Sequence, residues 1–131
     1  MRRVLLFLFV LIGLSATAKA DTIDFYWVFY NDTVWAKLNG VMNNTELHLN
    51  GTGIKADDSI TIKYTTDTPC PGCHHTLAVK DENGNKIEEL DKNGSWVPFT
   101  FSIRKFSHSY KPPSSYSFYY DGRLLFKLLI E

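Results

Sequence analysis

Short segments in which apolar and polar residues alternate constrain the fold of this 131-residue chain more than any other feature. A period of two is typical of β-strands that bury one face. Asn83-Gly84 and Asp121-Gly122 supply the backbone freedom that tight hairpin turns require, so both predict turns. No segment after residue 20 shows a convincing helical period. The predicted strands are 23–30, 33–38, 46–49, 59–64, 77–79, 87–90, 97–103, 116–120 and 123–130.

Seven to nine short strands cannot remain one open sheet, because one hydrophobic face would stay in contact with water. The chain is therefore predicted to be an all-β sandwich or a small barrel. The hairpin at 77–87 resembles the central hairpin of bacterial immunoglobulin-like domains, over roughly residues 22–131. This resemblance implies an antiparallel immunoglobulin-like β-sandwich, with Tyr116 as a tyrosine corner. The chain lacks the family's inter-sheet disulfide, since Cys70 and Cys73 are too close in sequence to bridge two sheets.

The N-terminus has the pattern of a secretory signal peptide. Arg2 and Arg3 precede an apolar run at 4–14, and small residues at 18–20 end in an Ala-x-Ala sequence. The alternative is an uncleaved membrane anchor, which the shortness of the apolar run disfavours. We therefore expect a cleaved signal peptide at 1–20 and one β-sandwich domain at 21–131, exported to the periplasm or the extracellular space.

Charge and composition exclude two classes of protein. Removal of Arg2, Arg3 and Lys19 with the signal peptide leaves 11 basic and 14 acidic residues, a formal charge of −3. A nucleic-acid-binding domain needs a basic surface, so none is expected. The chain is 44% hydrophobic and 15% aromatic, which excludes a disordered secreted tail.

Reactive side chains concentrate at 70–75, where the sequence reads Cys-Pro-Gly-Cys-His-His. Two cysteines in an exported chain with no other candidates favour a Cys70–Cys73 disulfide. A redox role is less favoured, because no helix follows Cys73 to stabilise a thiolate. The segment therefore predicts a loop between strands that is closed by a cystine.

Two cofactor alternatives use the same loop. Cys70, Cys73 and His74 match the attachment pattern of haem c, whose sixth ligand would be Met42, His75, His48 or His108. Copper or zinc is the other alternative, with Cys70, Cys73, His74 and His75 as weak candidate ligands. Adjacent histidines on a strand point to opposite faces, so a four-ligand site would also need His48 or His108.

No motif for catalysis is present. The sequence contains no Gly-rich phosphate loop, no Gly-x-Ser-x-Gly and no His-Glu-x-x-His. We therefore expect a protein that is not an enzyme and needs no cofactor.

The first and last strands suggest a contact surface. The residues expected to face the core are Ile23, Phe25, Trp27 and Phe29 of the first strand, and Leu124, Phe126, Leu128 and Ile130 of the last. In immunoglobulin-like sandwiches the terminal strands lie close together, so their outward residues would join into one exposed patch that marks a protein contact. The alternative is a long terminal strand that a loop of the same chain covers. The residues of this predicted patch are Tyr26, Val28, Tyr30, Leu125 and Leu129.

These observations predict a small exported, non-catalytic binding domain that contacts a protein or a glycan and can form a homodimer. The alternative is a metal- or haem-binding electron-transfer protein that uses Cys70, Cys73 and His74.

Overall fold

The computed structural model describes residues 24–39, 44–107 and 113–131. The predicted signal peptide, Ile23, Met42 and His108 lie outside these residues. The strands are β1 (Phe25–Tyr30), β2 (Thr33–Asn39), β3 (Glu46–Leu49), β4 (Ser59–Thr65), β5 (His74–Lys80), β6 (Lys86–Asn93), β7 (Phe99–Ser102), β8 (Ser114–Tyr120) and β9 (Arg123–Ile130). One 3-10 turn, Gly51–Gly53, and one short helix, α1 (Arg104–Ser107), complete the described elements. The all-β prediction is confirmed.

The strands form two sheets. The four-stranded sheet has the order β2-β1-β4-β7, and the five-stranded sheet has the order β3-β9-β8-β5-β6. Neighbouring strands are antiparallel except β3 and β9, which run parallel. The β-sandwich is therefore confirmed, although its larger sheet is mixed and not purely antiparallel. Within the described ranges, no helix has the length and apolar character needed to cross a membrane.

The core lies between the two sheets. Val28, Ile62 and Phe101 are fully buried on the inner side of the four-stranded sheet. Phe118 of the five-stranded sheet meets Phe101 edge to face, with ring centroids 5.8 Å apart, and stacks on Phe126 at 4.5 Å. Aromatic contacts of this kind add to the stabilisation that burial provides.

The predicted backbone is present in full at one hairpin turn and at the glycine alone of the other. Asp121 and Gly122 join β8 to β9 with φ values of +47° and +78°, so both central residues are left-handed as a two-residue hairpin requires. Gly84, between β5 and β6, has a φ of +81°. Near the start of β8, the buried Tyr116 hydroxyl donates to the Phe106 carbonyl oxygen at 3.1 Å and ties β8 to α1.

The predicted orientation of β1 is wrong. Tyr26 and Val28 face the core, where 9% and 0% of their surfaces are exposed, whereas Phe25, Trp27 and Phe29 are half-buried on the outer side. The cause is the pairing of β1 with its neighbours. Trp27 lies opposite a lysine on each side, Lys37 of β2 and Lys63 of β4. Burying Trp27 would bury both ammonium groups, which costs far more than burying aromatic rings gains.

The predicted orientation of β9 is wrong at one end. Leu125 is only 5% exposed, and Leu124 is half-buried, although the alternation predicted the reverse. A β-bulge explains the change, because Phe118 pairs with Phe126 while Tyr119 pairs with Leu124. Leu125 is the extra residue, and it turns towards the core beside Phe126.

Candidate functional site

The connection between β4 and β5 is the cystine loop, residues 66–73. Cys70 and Cys73 form the predicted disulfide, with their Cα atoms 5.3 Å apart. The Cys73 N–H donates to the Cys70 carbonyl oxygen at 3.3 Å, so a tight turn at Pro71-Gly72 brings the two sulfurs together. Both sulfurs are consumed by this bond and neither is a thiolate.

The turn between β6 and β7 holds the cystine loop through its backbone. The Gly94 N–H donates to the Cys73 carbonyl at 2.7 Å, and the Ser95 N–H donates to the Cys70 carbonyl at 3.1 Å. The Ser95 hydroxyl accepts the Cys70 N–H at 2.8 Å. Gly94 has a φ of +93°, a conformation that other residues adopt only with strain. The loop and the turn therefore form one unit, the cystine-loop end, defined by residues 66–73 and 94–96.

Trp96 is the most distinctive residue of the cystine-loop end. It has a φ of +70°, which for a bulky side chain costs about 1–3 kcal/mol. Its indole N–H donates to the Thr66 carbonyl oxygen at 3.2 Å, while 46% of the residue stays exposed. The surrounding contacts hold a strained backbone that leaves a large apolar ring in contact with water. Such strain concentrates at binding and active sites.

His75 lies behind the loop on the inner side of β5. Its Nδ1 lies 2.8 Å from the Asp121 carboxylate, and its ring packs on Tyr64 and Tyr120. Only 14% of the side chain is exposed, and Nε2 is buried with no hydrogen-bond partner among the described residues. The Asp121 carboxylate also accepts the Thr76 N–H at 2.8 Å. His75 therefore fastens the β8–β9 hairpin to β5.

The prediction of a loop over residues 70–75 is wrong at its end, because His74 and His75 are the first two residues of β5. His74 lies on the opposite face of β5 from His75, as the alternation predicted. Its Nδ1 is 3.1 Å from the Asn93 side-chain oxygen and its Nε2 is 3.7 Å from Asp91. Because Cys70 and Cys73 are bonded and the histidines diverge, the four candidate ligands do not form a metal site in this state. In the part of the chain that the structure describes, no group of three His, Cys, Asp or Glu residues is placed to hold a metal ion.

Three tyrosines pack beside His75 at this end of the core. The ring centroids of Tyr26, Tyr64 and Tyr120 lie 5.1–5.2 Å from one another. Burial raises the pKa of the Tyr26 hydroxyl to about 12, with a smaller contribution from Tyr64. Burial likewise raises the pKa of Tyr120. These hydroxyls stay protonated at neutral pH, so the cluster is packing and supplies no general base.

A buried carboxylate organises the other end of β1. Asp58 is 6% exposed, and it accepts the Lys55 N–H at 2.8 Å, the Tyr30 hydroxyl at 2.5 Å and the Asn31 side-chain N–H at 3.0 Å. The Lys55 backbone bond, followed by the Tyr30 and Asn31 bonds, holds the pKa of Asp58 below its usual range. The Asn31 side-chain oxygen in turn accepts the Ser59 N–H at 2.9 Å. Asp58 joins the β1–β2 turn to the start of β4.

The predicted contact patch is not a surface. Tyr26, Val28 and Leu125 are buried in the core, and Tyr30 packs against the core and bonds to Asp58. Leu129 is half-buried in β9. Moreover, β1 and β9 belong to different sheets, so their outer sides face in opposite directions. The sequence reasoning missed Trp96 and the outward ring of Trp27. Lys37 and Lys63 were the available signal for Trp27.

No protein-family model matches this chain, and no similar protein was found among the curated proteins. Its function therefore has to be argued from its own residues.

Proposed function

We propose that this protein is a small exported, non-catalytic binding domain that contacts a protein partner through the cystine-loop end. Trp96 carries the proposal, because it is exposed, strained and fixed by its bond to Thr66. Tryptophan is enriched among the residues that dominate protein–protein binding energy. A ring fixed before binding also loses little conformational entropy on contact. A glycan is the other partner class for this site.

The disulfide supports export. Bridges between cysteines persist in oxidising compartments, and Cys70 and Cys73 are the only cysteines of the chain. The metal or haem alternative gains no support, since it needs thiolate or thioether sulfurs and both sulfurs are bonded to each other. The cystine acts in this proposal as a clamp that keeps the loop shaped around Thr66 and Trp96.

We also propose that the sandwich is immunoglobulin-like. In such domains a tyrosine of the penultimate strand bonds back to the upstream backbone, and Tyr116 of β8 makes a bond of this kind to Phe106. The adjacency of β5, β8 and β9 in one sheet supports the same assignment. This assignment bears on fold alone and adds nothing to the function.

The test compares Trp96→Ala with Ile87→Ala, a matched control at an exposed apolar residue of β6. Each exported protein is cross-linked on cells of the native host, the linked partner is identified by mass, and its affinity is measured by calorimetry. We expect Trp96→Ala to weaken binding roughly thirtyfold, as loss of a dominant contact does, and Ile87→Ala to leave it unchanged. Equal affinities for both variants would contradict the proposal. If the protein binds only on a glycan array, and Trp96→Ala abolishes that binding, the partner of this site is a glycan and not a protein.

A further inference from the structure

The outer side of the four-stranded sheet carries a row of aromatic rings. The solvated face of a sheet usually carries polar side chains instead. Phe25, Trp27 and Phe29 project from β1 and are each half-buried. Successive outward residues of a strand lie roughly 6.6–6.8 Å apart, so the row is roughly 13 Å long. Lys37 and Lys63 lie beside its centre, opposite Trp27. These five residues are the aromatic–lysine face.

Contacts with the rings fix one of the lysines in place. The Lys37 Nζ lies 4.1 Å from the Phe25 ring centroid and 4.8 Å from the Trp27 ring. Attraction between an ammonium group and ring faces orients the charge without neutralising it. The Lys37 ammonium is therefore available to an anion that lies along the row.

The charged residues in the strands of this sheet are all basic. The strands β1, β2, β4 and β7 contain no Asp or Glu, and Lys37 and Lys63 are their only charged residues. The five-stranded sheet differs, because Glu46, Glu89 and Asp91 lie among its basic residues. The domain expected at 21–131 has a formal charge of −3, so the positive charge is local to this face. A partner complementary to it is anionic.

The composition around the rings narrows the class of anion. Asn39 and Thr65 lie opposite Phe25, and Thr61 lies opposite Phe29 with its hydroxyl 3.0 Å from that of Thr100. Amide and hydroxyl groups that border flat aromatic rings suit sugar hydroxyls and the C–H faces of sugar rings. An anionic lipid surface fits less well, because half-buried rings do not project into a bilayer. A second copy would bring lysine against lysine.

We propose that the aromatic–lysine face binds an anionic polysaccharide, a sugar chain that carries carboxylate or sulfate groups. The sugar rings stack along Phe25, Trp27 and Phe29, and Lys37 and Lys63 pair with the acidic groups. The face borders the cystine-loop end, because Thr65, which lies opposite Phe25, directly precedes Thr66. The two surfaces share no residue, so the proposed polysaccharide contact does not depend on the proposed protein contact.

The test uses the exported protein with three sugar probes: polygalacturonate, heparin fragments and neutral dextran. Poly-glutamate and phosphatidylglycerol vesicles serve as the non-sugar comparison. Affinity is measured by calorimetry at low and at physiological salt. We expect either anionic chain to bind at least about tenfold more tightly than dextran. Trp27→Ala should weaken that binding by about tenfold, because the central stacking ring is lost. The double variant Lys37→Gln, Lys63→Gln should weaken it and flatten its salt dependence.

Controls separate this proposal from the others. Trp96→Ala should bind the anionic chains as the wild type does, since Trp96 lies outside the aromatic–lysine face. Thermal unfolding of each variant checks that the fold is retained. The proposal is overturned if Trp27→Ala binds normally, or if dextran binds as tightly as the anionic chains. Preferential binding of poly-glutamate, or of phosphatidylglycerol vesicles, would assign the face to an acidic peptide or to a membrane and would also overturn it.

Discussion

At the cystine-loop end, Trp96 stands on irregular backbone, whereas on the aromatic–lysine face Trp27 stands on a regular strand between two lysines. The first ring is exposed because a strained φ and a bond to Thr66 turn it outward. The second is half-buried and faces outward because its neighbours across the sheet carry charges that must remain in water. Local backbone geometry determines the first site, and pairing between distant segments determines the second.

The largest expected effect on stability tests which face of β1 is buried. Val28→Lys places an ammonium group in the core, which costs several kcal/mol against a total stability of about 5–15 kcal/mol, so the domain should unfold. Phe29→Lys, at the next residue but on the outer side, should cost about 1 kcal/mol or less. Urea unfolding of both variants measures this difference. Equal destabilisation would show that β1 is buried on both sides.

The sequence predicted the features that depend on neighbouring residues in the chain. It did not predict those that depend on pairing between distant segments. Alternation, together with the turn residues, predicted seven to nine strands, and nine lie in the described residues, because both signals are local to each strand. It failed on the orientation of β1, where Phe-Tyr-Trp-Val-Phe-Tyr is apolar or aromatic at every position. Only the pairing with Lys37 and Lys63 decides that orientation, and pairing is not local. Leu125 was misplaced for a related reason, since a bulge shifts the alternation by one residue.

At the candidate site, too, the features local in sequence were predicted and those that depend on distant contacts were not. Two cysteines in a chain that was expected to be exported sufficed to predict the Cys70–Cys73 bridge. The opposite orientations of His74 and His75 followed from strand alternation. Trp96 could not be predicted, because its exposure depends on how the β6–β7 turn bonds to a loop some thirty residues earlier.

A second expected effect concerns Asp58, which anchors the end of β1 away from the cystine loop. Asp58→Ala leaves the Tyr30 hydroxyl, the Asn31 amide and the Lys55 N–H without their acceptor, at a cost of about 3 kcal/mol. Because the folded-state pKa of Asp58 is lowered, its contribution is full above its ordinary pKa and is lost as the pH falls through the lowered value.

Unfolding free energies from neutral to acid pH measure this contribution. The stability lost by Asp58→Asn should be largest at neutral pH and should shrink as the pH falls through the lowered pKa. A loss of constant size across the acid range would contradict the role of the ionised carboxylate.

A third effect is smaller and concerns the cystine loop. Replacing Cys70 and Cys73 together with Ser opens a ring of four residues, for which the chain-entropy account gives about 2 kcal/mol. The double variant should therefore fold with a lowered Tm, because the bonds from Gly94 and Ser95 to the loop remain possible. Circular dichroism during heating gives this result directly. A chain that no longer folds would show that the bridge does more than close a short ring.

The smallest expected effect on stability sharpens the comparison between the two tryptophans. Trp96→Gly removes the strain of a φ of +70° and also removes the bond to Thr66, so the free energy of unfolding should change by about 1 kcal/mol or less. Binding of the protein partner should nevertheless be lost. A large destabilisation would mean that Trp96 serves the fold and not the contact.

The most direct test of the central claim, that the cystine clamps a binding end and holds no redox cofactor, is the intact mass and visible spectrum of the protein exported by its native host. The account predicts the mass of residues 21–131 less two hydrogens, with no visible band and no bound metal in elemental analysis. Added haem mass with a visible band, a stoichiometric metal, or two alkylatable thiols would contradict it.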